Sequence, residues 1–221
     1  MTAPTPLAGI TVVEFTHMVM GPAVGHILAG LGAEVIRVEP IGGDATRRLL
    51  GSGAGYFPMY NRGKQSICLN LKSASGLQVA QDLCAKADVL VENFRPGALD
   101  RLGLGYDALA KANPRLIYAG MFGFSQRGRY AAQAAFDDLI QAACALPQAV
   151  AAGSGGAPRY LPITIADRSV GLYAFGVICA ALYSRSQTGV GQRVDISIFE
   201  TMVPQVMVDH LYGETFVPAR G

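Results

Sequence analysis

The chain has 221 residues, 51% hydrophobic and 15% charged, so it can bury a sizeable core and is neither a disordered protein nor a coiled coil. Eighteen basic residues against sixteen acidic ones leave a formal net charge of +2, too small for a protein that holds nucleic acid by charge. The N-terminal residues lack the features of a secretory signal, and the apolar stretch 170–183 is shorter than the roughly 18 residues of a membrane span. We therefore expect a cytoplasmic protein with neither a nucleic-acid nor a membrane partner.

Short β-branched segments alternate with helical segments through the first 122 residues. The pattern predicts strands over 10–15, 34–38, 66–71, 88–94 and 116–122, helices over 22–31, 76–87 and 106–112, and a long loop over 42–60. Such alternation is typical of a parallel sheet with helices on both faces. The predicted fold class is therefore α/β, a Rossmann-like parallel sheet with flanking helices.

The pattern changes after residue 130. It predicts a helix over 136–146 that Pro147 stops, a flexible linker over 153–158, and a core helix over 170–183. A strand over 192–197 and a helical segment over 199–212, with Pro204 inside it, follow.

Cysteine and histidine spacing gives no sign of a metal site. The four cysteines lie singly in apolar runs, which predicts buried thiols in a reducing cytosol: Cys68, Cys84, Cys144 and Cys179. The three histidines are too scattered for recognisable metal-ligand spacing, so we expect no metal.

The glycines after the first strand invite comparison with a dinucleotide-binding turn. Gly21, Gly25 and Gly30 follow the spacing G-x3-G-x4-G rather than G-x-G-x-x-G, and the turn itself carries bulky side chains. We favour the interpretation that these glycines permit close packing of a helix on the sheet.

Basic residues follow two of the predicted strands. Lys72 comes after the third strand, and Arg95 and Arg101 come after the fourth. Ligands of parallel sheets bind at the carboxyl ends of the strands, so these side chains could meet phosphate groups. A solvated surface explains each of them equally well.

Asp167 is the most informative carboxylate, because it lies between an apolar segment and an apolar helix. As a residue type it favours a helix N-cap, and composition alone supports that interpretation. The alternative is a partly desolvated carboxylate available as a nucleophile or base. Asp137 and Asp138, early in another predicted helix, carry the same ambiguity.

Several longer motifs carry a specific resemblance when they are taken in order. They are GPAVGHILAGLGAEVIRVEP, GGDATR, NRGKQSICLNLKSASG, ADVLVENFRPGALDRLGLGYDAL, NPRLIY, and the stretch from Asp167 through ALYSRSQTGVGQRVDIS. The sequence resembles the class III coenzyme A transferases, the family of formyl-CoA and carnitine-CoA transferases, from residue 7 to about residue 213.

The resemblance implies an acyl-CoA:carboxylate CoA-transferase. In this family one aspartate attacks the thioester to form a mixed anhydride, then an aspartyl-CoA thioester, from which an acceptor acid takes the coenzyme. Asp167, in the segment IADRSVG, occupies the matching position. The implied partners are an acyl-CoA and a small carboxylic acid, with coenzyme A as substrate and no tightly bound cofactor.

The resemblance also implies a set of residues that contact coenzyme A. They are Val19, Met20, Leu69, Asn70, Leu71, Lys72, Asn93, Phe94, Arg95, Arg101, Phe136 and Asp137.

The sequence departs from particular branches of the family. Val19 stands where formyl-CoA transferases have a glutamine, and Pro40 stands where they have a basic residue, which puts formyl or oxalyl specificity in doubt. Phe136 replaces a histidine of the racemase branch and cannot move a proton. A racemase or isomerase reaction, or CoA binding without turnover, remains the alternative.

Members of the family are longer than this chain. The resemblance implies that residues 1–221 form the Rossmann-like large domain, without the second, smaller domain and the C-terminal return segment. We expect the full-length protein to be an interlocked homodimer. Residues 1–221 alone are predicted to be inactive and, because apolar helix faces are exposed, either to self-associate or to be poorly soluble.

Overall fold

A computed structural model describes residues 5–220 and places six parallel strands in one sheet. The strands are β1 (Thr11–Phe15), β2 (Glu34–Glu39), β3 (Gln65–Cys68), β4 (Val89–Glu92), β5 (Ile117–Phe122) and β6 (Arg193–Ser197), in the order β3-β2-β1-β4-β5-β6. This is the strand order of doubly wound nucleotide-binding folds. The predicted α/β, Rossmann-like class is confirmed.

Eight α-helices flank the sheet among the described residues. They are α1 (Met20–Gly30), α2 (Tyr56–Asn61), α3 (Ala74–Lys86), α4 (Tyr106–Ala112), α5 (Asp137–Ala143), α6 (Leu146–Ser154), α7 (Ile165–Thr188) and α8 (Ile198–Met207).

Alternate residues of the central strands pack into two separate hydrophobic cores, one on each face of the sheet. Val12 and Val89 point to the core that α1, α5, α7 and α8 cover, whereas Val13 and Leu90 point to the core under α3 and α4. All four are fully buried. Since successive side chains of a strand face opposite sides of the sheet, the continuous apolar runs of β1 and β4 match a sheet covered on both faces.

The chain leaves the centre of the sheet in two directions. From β1 it proceeds to β2 and β3 on one side, whereas β4, β5 and β6 lie on the other. Segments that follow β1 and β4 therefore diverge and leave a crevice at the carboxyl ends of these strands, where open α/β sheets bind ligands.

Two glycines of α1 allow its close approach to the sheet. A Cβ atom at Gly21 would lie 2.6 Å from Thr16 Cγ2, and one at Gly25 would overlap the Glu14 carboxylate. The interpretation that these glycines serve helix packing is confirmed at both positions, whereas a Cβ at Gly30 would meet nothing within 4 Å.

Three local predictions from the sequence are wrong. The segment 42–60 is not a long loop, because it contains two 3₁₀ turns and the start of α2. β3 ends at Cys68 rather than at Leu71, so residues 69–72 form the turn after the strand. Pro147 does not stop a helix: α5 ends earlier, and Pro147 lies in the first turn of α6, where its missing N–H is not needed.

α7 extends well beyond the predicted segment 170–183. It has 24 residues and is the one helix among the described residues long and apolar enough to span a membrane, so the length argument from the sequence is wrong. Its inward face packs on the sheet through Val170, Ala174 and Ile178. Near its end the buried Arg185 pairs with Asp88 at 2.9 Å. These contacts are those of a core helix.

The opposite face of α7 is apolar and exposed. Leu172, Tyr173 and Tyr183 each present half or more of their surface to solvent.

The prediction of four buried cysteines is confirmed only for Cys84 and Cys144. Cys68 is exposed at the end of β3, and Cys179 is partly buried on α7. Cys68 ends a short, largely exposed edge strand, so the apolar run in the sequence does not correspond to core here.

Candidate active site

A groove of about 930 Å³ opens at the carboxyl ends of β1, β2 and β3. The turn 69–72 forms one wall, and the segments 16–18 and 40–46 form the others. Lys72 is the one lysine or arginine among the described residues that line it, and its backbone N–H donates to Asn70 Oδ1 at 3.1 Å. The groove therefore combines apolar walls with a single cation at the rim.

A smaller cavity of about 140 Å³ lies between the segments that follow β1 and β4. These segments are tied together, because the His17 N–H donates to Asn93 Oδ1 at 2.9 Å and Asn93 Nδ2 donates to the His17 carbonyl at 3.0 Å. The His17 ring also stacks on Phe94, with centroids 5.8 Å apart. His17 and Phe94 line both the groove and this cavity, so they form the junction between the two.

A third cavity, of about 380 Å³, lies on the other side of α7's first turn. Its lining includes Val19, Tyr56, Tyr160 and Thr164. Asp167 lines both this cavity and the small one. The Asp167 carboxylate is thus the acidic group that the two cavities share.

Asp167 is not the N-cap of α7, as its residue type had favoured, but the third residue of the helix. Thr164 occupies the N-cap without a side-chain capping bond, and its Oγ1 is buried with no hydrogen-bond partner among the described residues. The Asp167 N–H, one of the free donors of the first turn, donates to Asp137 Oδ1 at 2.9 Å. The capping is done by Asp137, thirty residues earlier in the chain.

Burial and, to a smaller extent, the neighbouring Asp137 carboxylate together raise the pKa of the Asp167 carboxyl to about 7. Two negative charges close together in a partly desolvated site disfavour ionisation more than the helix N-terminus favours it. No described residue donates a hydrogen bond to the Asp167 carboxylate. The group is therefore a basic, unpaired carboxylate at the wall of a cavity, the environment of a catalytic acid, base or nucleophile.

The structure brings most of the residues implied by the resemblance into these three cavities. The groove holds Leu69, Asn70, Leu71 and Lys72; the small cavity holds Met20, Asn93, Phe94, Arg95, Phe136 and Asp167; the third holds Val19, Phe136, Asp137 and Asp167. Arg101 lines none of them and lies in the turn Asp100–Leu102. Its contact with coenzyme A stays a prediction.

Sequence reasoning missed two residues of the site. His17 lies at the junction of groove and small cavity, and burial lowers its pKa, so a neutral imidazole faces both spaces. Its position just after the first strand could have indicated this, because ligands of parallel sheets bind at the carboxyl ends of the strands. Gln141 is buried beside Asp137, and its signal was an amide on an otherwise apolar helix face. Residues 5–220 hold no cluster of three or more potential metal ligands.

Comparison with known proteins bears on this arrangement. The model of CoA-transferase family III matches residues 7–220. The chain is 43% identical over 199 residues to an acetyl-CoA:oxalate CoA-transferase of Acetobacter aceti, covering 88% of this chain and 51% of that protein. It is 35% identical over 217 residues to the succinyl-CoA:glutarate CoA-transferase of Mus musculus, covering 95% and 50%.

The fold agrees with a solved structure of similar sequence. A CaiB/BaiF family protein from Brucella suis superposes with a TM-score of 0.86 at 36% identity, over 98% of this chain and 58% of that one. The chain spans about half the length of the relatives named above. The match over nearly all of its residues, in sequence and in fold, shows that the chain belongs to CoA-transferase family III.

Proposed function

We propose that the protein to which this chain belongs transfers coenzyme A from an acyl-CoA to a small carboxylic acid, through a covalent intermediate on Asp167. The observation that carries the proposal is a partly buried, unpaired carboxylate at the meeting point of two cavities, one of which joins the large groove. The names of the relatives, which are CoA-transferases, support it.

Coenzyme A fits the arrangement of the cavities in one direction. Its nucleotide occupies the groove, with a phosphate near Lys72, and its pantetheine arm passes the His17–Phe94 junction. The thioester then reaches the small cavity, which Asp167, Asn93 and Arg95 line. Asn93 and Arg95 lie in the turn after β4. The two hydrogen bonds between Asn93 and the backbone of His17 hold this turn.

The chemistry needs no redox cofactor and conserves atoms and charge. The Asp167 carboxylate attacks the thioester carbon, the C–S bond breaks, and the CoA thiolate leaves a mixed anhydride. The thiolate attacks the aspartyl carbonyl of the anhydride, which releases the donor acid and leaves an aspartyl-CoA thioester. The acceptor carboxylate repeats the two steps in reverse order and frees Asp167. A desolvated carboxylate with a raised pKa is a stronger nucleophile than a solvated one.

The third cavity is the place for the carboxylic acid. It adjoins Asp167, and Thr164, whose buried hydroxyl has no partner among the described residues, can donate a hydrogen bond there. Tyr56 and Tyr160 supply aromatic walls with polar ends.

We also propose that residues 1–221 are the large domain of a longer transferase that acts as an interlocked homodimer. The chain's partial coverage of its relatives supports the first statement, and the exposed apolar face of α7 supports the second. Light scattering of the full-length protein tests the assembly, with two chains per particle expected.

The function is tested by incubating the full-length protein with a panel of acyl-CoAs and acids and following the products by mass spectrometry. We expect CoA exchange, and hydroxylamine should trap the intermediate on Asp167. Asp167→Asn should lower turnover by roughly 10³-fold or more and leave CoA affinity within a few-fold. Asp107→Asn, a change of the same kind on the surface helix α4, is the control.

Two results would contradict the proposal. Trapping on Asp137 would move the nucleophile, and exchange of the α-proton of an acyl-CoA for deuterium without CoA transfer would favour a racemase.

A further inference from the structure

Gln141 carries a polar amide, yet only 2% of its surface is exposed, and it lies in the apolar core. Its amide nitrogen, Nε2, donates to Asp137 Oδ2 at 2.7 Å and to the Ile163 carbonyl at 3.2 Å. Its Oε1 accepts the Leu161 N–H at 3.0 Å. A buried amide is retained only where its hydrogen bonds are made, and here all of them go to the elements around Asp167.

These bonds form a continuous connection to Asp167. One oxygen of Asp137 accepts from Gln141, and the other accepts the Asp167 N–H at 2.9 Å. The bonds to Leu161 and Ile163 fix the segment that runs directly into α7. Both the rotamer of Asp137 and the entry of α7 therefore depend on one amide.

We propose that Gln141 is the positioning residue for Asp167: it holds the Asp137 carboxylate and the start of α7 in the arrangement that presents the Asp167 side chain to the thioester. The inference rests on the proposed function of Asp167. Gln141 itself lines the third cavity but neither the groove nor the small cavity, so it acts through Asp137 rather than on coenzyme A.

The amide also has an electrostatic effect. By donating to Asp137 it stabilises the negative charge that stands beside Asp167. The titratable groups that face this region are Asp137 and Asp138 on α5, Asp167 on α7, Tyr56 on α2, Tyr160 before α7, and Cys144 one turn after Gln141. No lysine or arginine is among the described residues of this cavity.

Gln141→Glu in the full-length protein tests the positioning role, because the two side chains have the same shape. The introduced carboxyl can donate to Asp137 only while it is protonated. We expect kcat at the optimum to fall roughly 10- to 100-fold and to decline again as the pH rises, a descending limb that the parent protein lacks. KM for the acyl-CoA should change by no more than about two-fold, because ground-state binding is untouched.

A second measurement does not depend on turnover. The carboxyl of Asp167 is followed by ¹³C NMR in protein labelled at aspartate, and assigned by its loss in Asp167→Asn. In Gln141→Leu the Asp137 carboxylate loses the donor that holds its rotamer and can turn away from Asp167, so the titration midpoint of Asp167 should fall below that of the parent protein.

Ile140→Val, a change in the apolar core beside Gln141, is the control for stability, and it should lower Tm without altering either profile. If both Gln141 variants lower Tm, but Gln141→Glu keeps the parent's pH profile and Gln141→Leu keeps the parent's Asp167 titration, Gln141 is merely structural and the inference is overturned. If the parent transfers no CoA yet the Asp167 midpoint responds to Gln141, the positioning role stands and the proposed function fails.

Discussion

Two groups of buried acidic side chains in this protein have opposite surroundings. Under the groove, Glu14 contacts Lys64 at 2.7 Å and Arg37 at 3.0 Å, and Arg37 also contacts Asp44 at 2.7 Å. At the start of α7, Asp137 and Asp167 lie together, and no lysine or arginine forms an ion pair with either among the described residues.

The pKa values of Glu39 and Asp167 show how hydrogen-bond partners change the ionisation of a buried acid. Burial opposes ionisation of Glu39, yet hydrogen bonds from Arg47 and Ser66 lower its pKa to about 2. Burial also opposes ionisation of Asp167, and there the neighbouring Asp137 carboxylate opposes it as well, so the pKa rises to about 7. Desolvation raises the pKa at both sites; at Glu39 the hydrogen bonds from Arg47 and Ser66 outweigh it, and at Asp167 no described donor opposes it.

The difference separates acids held in ion pairs from the carboxylate that we propose as the nucleophile. The paired acids join β1, β2 and the segment 44–47 and so hold the wall of the groove. The unpaired acid costs stability and remains available to a ligand.

The largest expected effect is the removal of a paired charge. Arg37→Leu leaves Asp44 without its cation in a buried site, and should lower the free energy of unfolding by about 3–5 kcal/mol. Urea denaturation measures this loss of stability.

Arg193→Gln breaks a half-exposed pair with Asp195 and should lower the free energy of unfolding by no more than about 1 kcal/mol. Equal losses in the two variants would remove the distinction between buried and exposed pairs.

A smaller effect is expected at the groove. Lys72→Ala should weaken CoA binding by about 1.5–3 kcal/mol, or roughly 10- to 100-fold, if the ammonium meets a phosphate. Calorimetry of the full-length protein measures it, with Lys86→Ala at the far end of α3 as control. An unchanged affinity of Lys72→Ala for coenzyme A would contradict the proposal that the nucleotide binds in the groove. A comparable loss in Arg101→Ala would show that the ligand extends beyond the groove, as the resemblance implies.

The smallest effect is a gain in stability. The pKa of Asp167 is 3.8 in an ordinary environment and about 7 in the fold, so between these values the folded state binds the extra proton. The contribution of Asp167 to stability is therefore complete below pH 3.8 and lost as the pH rises through 7.

Asp167→Asn removes this dependence, because the amide does not ionise. The variant should match the parent at low pH and exceed it by about 1–2 kcal/mol at pH 8, a figure reduced for the partial exposure of the site. Urea unfolding across the pH range measures the difference, and Asp107→Asn should show none. A difference independent of pH would mean that Asp167 is not held as a destabilised carboxylate.

Much of the fold could be predicted from the sequence, because strand and helix periods are local. The helix α4 was predicted to the residue and β1 to within one residue, whereas β4 ends two residues before the predicted end at 94. Where a segment has no period, as in 42–60, the helix α2 was missed, since it forms by packing against α1 and the turn before it. The ordered motifs predicted the family and pointed to Asp167.

What the sequence determined by itself is the alternation of strands and helices, the family, and Asp167 as the aspartate that we propose to be the nucleophile. The tertiary structure alone decided which acids are paired. Glu14 meets Lys64 from fifty residues away, and Asp137 meets Asp167 from thirty. Neither contact has a local period, and the energy of a buried charge depends on distances and desolvation that exist only after the chain has folded. For that reason, the sequence favoured Asp167 as a helix cap, and only the tertiary structure shows that its carboxylate has no ion-pair partner among the described residues.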